Sequence, residues 1–165
     1  MSFLRARTLF ALIALAPLGA VCAALFTQHV LGMQPCPWCV FQRLIFLVIA
    51  VWGLLGLLWS GRLGRRLAGT LALATALGGM SAALWHYFVA ASSTSCNQTL
   101  ADRVVSGWLG LDALLPEVFE ARASCADAAA KLLGVPYPLL SLSLFTLLAL
   151  AALLVLRTDR PETPR

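Results

Sequence analysis

Charge is scarce in this sequence. Asp, Glu, Lys and Arg make up 12% of its 165 residues, against about 25% in an average soluble domain. That shortage excludes a fold whose whole surface is wetted by ionised side chains. The apolar share is 61%, more than a water-surrounded core hides, so lipid is the expected neighbour of the excess. A nucleic-acid interface is excluded for a related reason. The formal charge is +5, but the basic residues sit in short runs between long apolar stretches and form no basic face. Internal repeats, low-complexity tracts and a polar segment long enough for a separate soluble domain are missing as well.

What is abundant is long apolar sequence. Four stretches stand out, at about 9–26, 40–59, 67–91 and 139–156. Each is close to the length a helix needs to cross a hydrocarbon core of about 30 Å, and a helix satisfies its own backbone hydrogen bonds there. Alternating polarity, the mark of a membrane β-barrel strand, is lacking. The fold class expected is an all-α membrane protein, a four-transmembrane-helix bundle forming a single integral membrane domain over residues 1–165. A signal peptide is the other reading of the first stretch, which follows Arg5 and Arg7. Ala24-Leu25-Phe26-Thr27 makes a poor cleavage site, however, and three further spans follow. Gly19-Ala20-Val21 likewise makes Cys22 a poor lipidation site. Cys22 falls mid-span, where a buried, inert thiol is expected.

Basic residues orient the spans. Arg5 and Arg7 precede the first, Arg62, Arg65 and Arg66 separate the second and third, and Arg157, Arg160 and Arg165 follow the fourth. These are eight of the twelve Lys and Arg residues. They predict cytoplasmic termini and two loops on the far side. The short loop, about 27–39, has no Lys or Arg. The long loop, about 92–138, has Arg103, Arg122 and Lys131 against five acidic residues. Within it, Trp108–Phe119 is rich in Leu, Trp and Phe; it either lies flat on the membrane or packs as a short helix on the bundle. The tail beyond Arg157 is short and charged, and disorder is expected there.

The chemistry-bearing residues gather on the far side. Cys36-Pro37-Trp38-Cys39 stands at the outer mouth of the second span. Cys36 suits an N-cap and Pro37 the first helical position. Free N–H groups at a helix start favour a thiolate, and a low-pKa thiol leaves readily in disulfide exchange. Arg43 follows Cys39 by four residues and Cys36 by seven, which puts all three on one helical face. An arginine inside a span is costly. It either snorkels to the interface or supplies positive charge to a Cys39 thiolate and an electron-rich quinone. Cys96 follows a Ser-Ser-Thr-Ser run, and Cys125 lies 29 positions later. They are either a structural staple or a second redox pair, and the neighbouring C-x-x-C favours the latter. A structural zinc site would show closer pairs, so no metal is expected. Val40 after Cys39 excludes c-type haem attachment. His86, flanked by Trp85 and Tyr87 near the outer end of the third span, is a candidate for hydrogen-bonding a quinone or carrying its protons; the aromatics alone suit an interfacial belt.

Taken together, the sequence resembles the DsbB family of disulfide bond formation proteins over nearly its whole length. The resemblance rests on the four spans, on C-P-W-C with Arg43 behind it, and on Cys96. It rests also on Leu115-Pro116-Glu117-Val118-Phe119 running to Cys125, with Leu133-Gly134 and Pro136 beyond. It implies an inner-membrane thiol:quinone oxidoreductase with the active cysteines on the periplasmic side. A reduced DsbA-like thioredoxin-fold oxidase would attack a Cys96–Cys125 disulfide at Cys96. Cys125 would then attack Cys36, and Cys39 would deliver electrons to ubiquinone or menaquinone beside Arg43. The expected partners are thus that oxidase, the quinone pool and the bilayer. Two departures stand out: Gln42 occupies a position that is acidic in the best-known member, and His86 lies closer to Cys96 than there. The rival readings are a vitamin K epoxide reductase-like enzyme, whose C-x-x-C comes late in the chain, and a non-enzymatic membrane scaffold with a stapled loop.

Overall fold

The computed structural model describes residues 2–90, 99–125, 131–132 and 135–158. Cys96, the Ser92–Ser95 run, Leu133-Gly134 and the charged tail fall outside the described residues. Four helices are long and apolar enough to cross a membrane. They are α1 (Ser2–Val30), α2 (Pro37–Leu58), α3 (Arg62–Phe88) and α7 (Tyr137–Thr158). They run beyond the apolar stretches at nearly every end, because a helix continues into the interfacial region past its hydrocarbon-facing segment. The exceptions are the ends of α2, at Leu58 rather than 59, and of α3, at Phe88 rather than 91. The all-α expectation is met, apart from a two-residue antiparallel ladder, β1 (Lys131–Leu132) with β2 (Val135–Pro136), that leads into α7.

Successive helices are antiparallel neighbours, and the close contacts show why these sequences pack. Phe10 and Ala14 of α1 lie against Gly56 and Gly53 of α2. On the other side, Gly79 of α3 admits the Phe145 ring of α7. Lipid offers no hydrophobic drive for helix association, so close approach at small residues supplies the packing. The core between the helices is Phe10, Ile13, Ile49, Ala68, Ala72, Ala76, Phe145 and Leu148. Phe46 of α2 and Phe145 of α7 stack at its centre, with ring centroids 4.1 Å apart. A Cβ at Gly53 would come within 2.5 Å of the Ala14 backbone nitrogen, and backbone cannot swing aside. Gly53→Ala is therefore expected to destabilise the bundle by about 1–3 kcal/mol. Thermal unfolding in detergent checks this, with Gly78→Ala, which meets nothing within 4 Å, as a near-neutral control.

The long loop folds back over the start of α2. It comprises α4 (Leu100–Asp102), a π-helical turn (Arg103–Trp108), α5 (Leu111–Leu114) and α6 (Pro116–Phe119). Thr99 caps α4, with its hydroxyl accepting from the Asp102 N–H and the Asp102 carboxylate accepting from the Thr99 N–H. The apolar Trp108–Phe119 stretch packs on the bundle at its Phe119 end. Phe119 is buried against Val40 and Val105. Trp108 and Leu114 point outward, 81% and 72% exposed. Cys22 corrects an expectation. It is exposed on the outer side of α1, because mid-span depth puts a residue in the membrane without deciding which face of the helix meets protein.

Candidate functional site

Three sulfurs meet where α2 begins. Cys36 is the N-cap of α2, and its Sγ accepts from the Cys39 N–H at 3.3 Å. Pro37 at the first helical position has no N–H to satisfy. One helical turn brings the Cys39 Sγ to 2.9 Å from the Cys36 Sγ. Cys125 arrives from the long loop and joins Cys36 in one buried cluster. Its approach is held by the backbone, since the Arg122 and Ala123 N–H groups both donate to the Pro35 carbonyl, at 3.0 and 3.3 Å. Cys36 is fully buried between its two sulfur neighbours.

The helix start does not act on all three thiols alike. Cys125 has its pKa lowered, chiefly by the hydrogen bond from Cys36 and also by the Trp38 N–H. Cys36 has its pKa raised, because its thiol is engaged with Cys125 and Cys39 and is buried away from water. The amides of the first turn thus serve an incoming loop sulfur as well as the motif's own.

Arg43 lies one turn below Cys39 and is buried. It donates to the Gln28 side-chain oxygen at 2.7 Å, the Val118 carbonyl at 3.0 Å and the Ala24 carbonyl at 3.5 Å. All these acceptors are neutral, so among the described residues no carboxylate cancels its charge. Gln28 uses its other end to donate to the Glu117 carbonyl at 3.1 Å. The α6 arm that leads to Cys125 is thereby tied to α1 and α2.

Cys39 and Arg43 share a cavity of about 150 Å³, walled by α1, α2 and α7. Phe46, Leu140 and Leu144 give it apolar walls, and Gln42, Tyr137 and Ser141 add polar groups. A flat ring with two carbonyls needs such a lining: apolar faces, a few donors, and here a thiol at the edge. The described residues therefore fit a quinone ring. His86 does not line this cavity. Its Nε2 lies 3.5 Å from the Cys36 Sγ, and its Nδ1 lies 3.1 Å from the Gln42 amide nitrogen. Of the candidates read from sequence, Cys36, Cys39, Cys125, Arg43 and His86 come together; Cys96 lies outside the described residues. Gln28, Tyr137 and Ser141 were not singled out, and Gln42 drew notice only as a departure from the family pattern. The polar Gln42 inside the second apolar stretch was the one sequence cue to any of them.

Comparison with known proteins bears on this geometry. The family model described as "Disulfide bond formation protein DsbB" matches residues 6–155. The chain belongs to the DsbB family. Similar DsbB relatives include disulfide bond formation protein B of Ralstonia nicotianae, 37% identical over 93% of this chain and 96% of its own. Disulfide bond formation protein B 1 of Pseudomonas savastanoi pv. phaseolicola is 36% identical over 80% of this chain and 81% of its own. The Psychrobacter arcticus relative is 31% identical over 93% of this chain and 90% of its own. As a DsbB-family disulfide oxidoreductase with four candidate membrane spans, the chain places three of its cysteines at one end of the bundle.

Proposed function

We propose that this protein reoxidises a DsbA-like dithiol oxidase on the periplasmic side of the bacterial inner membrane and passes the electrons to a membrane quinone. The observation that carries the reading is the position of Cys36, in contact with Cys39 on one side and Cys125 on the other. A sulfur with two sulfur neighbours has the geometry for exchange between two disulfides. The arginines at the opposite helix ends support periplasmic cysteines.

The residues act in sequence. The reduced partner's thiolate attacks Cys96 of a Cys96–Cys125 disulfide, and Cys125 leaves as a thiolate. Its lowered pKa makes it a good leaving group. Cys125 then bonds to Cys36, and the Cys36–Cys39 bond breaks with its electron pair on Cys39. Cys39 is thereby a thiolate at the edge of the cavity, next to the Arg43 charge. The partner's second thiolate displaces Cys96. The Cys39 and Cys96 thiolates together give up two electrons as the Cys36–Cys125 bond breaks and the Cys36–Cys39 and Cys96–Cys125 bonds re-form. A quinone held between Arg43 and the apolar walls would supply the acceptor for those electrons and two protons. Tyr137 and Ser141 line the same cavity and would orient its carbonyls. Ubiquinone and menaquinone both present this ring.

Purified protein, a reduced DsbA-like oxidase and quinone test the reading, followed by quinone absorbance. Thiol-dependent loss of quinone is expected, and its absence would return the chain to a scaffold role. Cys96→Ser is expected to reduce partner oxidation to background while quinone binding persists. Normal turnover in that variant would refute the two-couple relay.

A further inference from the structure

The relay accounts for its electrons and leaves its protons unplaced. The partner's two thiols lose their protons to the periplasmic solution, and a quinol carries two protons on its oxygens. Cys39 reaches the cavity as a thiolate and brings no proton with it. An acid is therefore needed where the electrons arrive.

The walls of the cavity narrow the choice. From α1 they present only alanine and valine side chains. Among the described residues no carboxyl or imidazole lines it. Its polar groups are Cys39, Gln42 and Arg43 from α2, and Tyr137 and Ser141 from α7. Arg43 is never deprotonated in a protein and is committed to three acceptors. The Gln42 amide nitrogen stands 3.1 Å from His86 Nδ1. An amide, or an aliphatic hydroxyl such as that of Ser141, holds its proton far more tightly than a phenol does. Tyr137 is left. It is the first residue of α7, half-buried, at the end of the bundle where the cysteines meet. Its hydroxyl interacts electrostatically with the Arg43 guanidinium.

We propose that Tyr137 Oη is the acid that protonates a quinone oxygen, an assignment that rests on the relay above. The Tyr137 O–H bond breaks as that oxygen gains an electron pair. The proton passes to the quinone oxygen, and the bonding pair stays on Oη as a tyrosinate whose charge is offset by Arg43. Oη then recovers one of the two protons that the partner's thiols released. The other proton reaches the second quinol oxygen from water as the product leaves the cavity. Tyr137 moves a proton and no electron, so no further oxidant is required. The chemistry is well matched. A tyrosine hydroxyl and a quinol hydroxyl are both phenols, with a pKa of about 10 for tyrosine, so transfer between them is close to level.

The test uses the full chain in detergent. Its cysteines are first reduced, and a single turnover with a short-chain ubiquinone is followed by quinone absorbance against pH. Tyr137→Phe is expected to slow the reaction about a hundredfold near pH 8. That deficit should shrink about tenfold with each pH unit of acidification, as hydronium replaces the lost acid. The ratio of variant to wild type cancels the ionisation of Cys39, which is common to both, and Arg43 stays charged throughout. The oxidised protein, which does no chemistry, gives a second reading. In Tyr137→Phe a carbonyl infrared band of bound quinone should move to higher frequency, and the dissociation constant should rise about three- to tenfold, as expected for one lost hydrogen bond. Tyr137→Gln, which donates a hydrogen bond but gives up no proton, should recover affinity and not rate. A full rate in Tyr137→Gln, a Tyr137→Phe deficit that is the same at every pH, or a carbonyl band that does not move each overturns the assignment with the relay intact. Failure of the relay looks different: the wild type reduces no quinone, while the carbonyl band of the oxidised protein still responds to Tyr137.

Discussion

Cys39→Ser is expected to abolish quinone reduction, lowering turnover by on the order of a thousandfold. The reason is placement. Cys39 is the one sulfur among the described residues that lines the cavity, and a serine oxygen forms no disulfide with Cys36. The variant should still accept electrons from the partner at the loop cysteines. With no Cys36–Cys39 bond to open, those electrons have no route to the cavity, and one equivalent of partner should be oxidised before the reaction stops. Quinone absorbance and alkylation of partner thiols, read together, distinguish this from unfolding, which would remove both. Sustained turnover in Cys39→Ser would mean that electrons leave by another sulfur.

Arg43→Met is expected to act in two ways at once. It removes the positive charge beside Cys39, which should raise the apparent KM for quinone by about ten- to a hundredfold. It also leaves the Gln28 oxygen and the Val118 carbonyl without their donor. An unsatisfied buried acceptor costs about 1–3 kcal/mol, so thermal stability in detergent should fall with it. Arg43→Lys separates the two effects. Lysine keeps the charge but has no planar fork to reach the Gln28 and Val118 oxygens together, so it should recover more of the quinone affinity than of the stability. An unchanged quinone dependence in both variants would reduce Arg43 to a structural tie between α2 and the loop.

The spans and the C-x-x-C cap were legible because both are local. Hydropathy over about twenty residues marks a helix in lipid, and Cys36-Pro37 is a start signal read from two adjacent positions. The partners of the site were less legible. Arg43 meets Gln28 fifteen residues back and Val118 seventy-five ahead, and no periodicity links them. His86 was identified as an ionisable residue in a span, and that much holds. Its neighbour is Cys36 rather than the cavity, because the turn of α3 on which its side chain stands faces the start of α2. Cys22 went the other way: depth in the span was clear, but the face was not.

Composition and pattern by themselves determined that the chain enters lipid as four helices, gathered its arginines at one set of ends and placed a redox motif at the start of the second span. Those properties follow from the cost of exposing apolar surface to water and of placing charge in hydrocarbon, costs that each segment carries alone. Only the tertiary structure decided that Cys36 lies between two other sulfurs, that Cys39 rather than Cys36 lines the cavity, and that a glutamine from α1 ties Arg43 to the loop. Those are matters of rotation about helix axes and of loop return. They are set by close packing at small residues and by pairing of buried polar groups, which exist only once the helices are side by side.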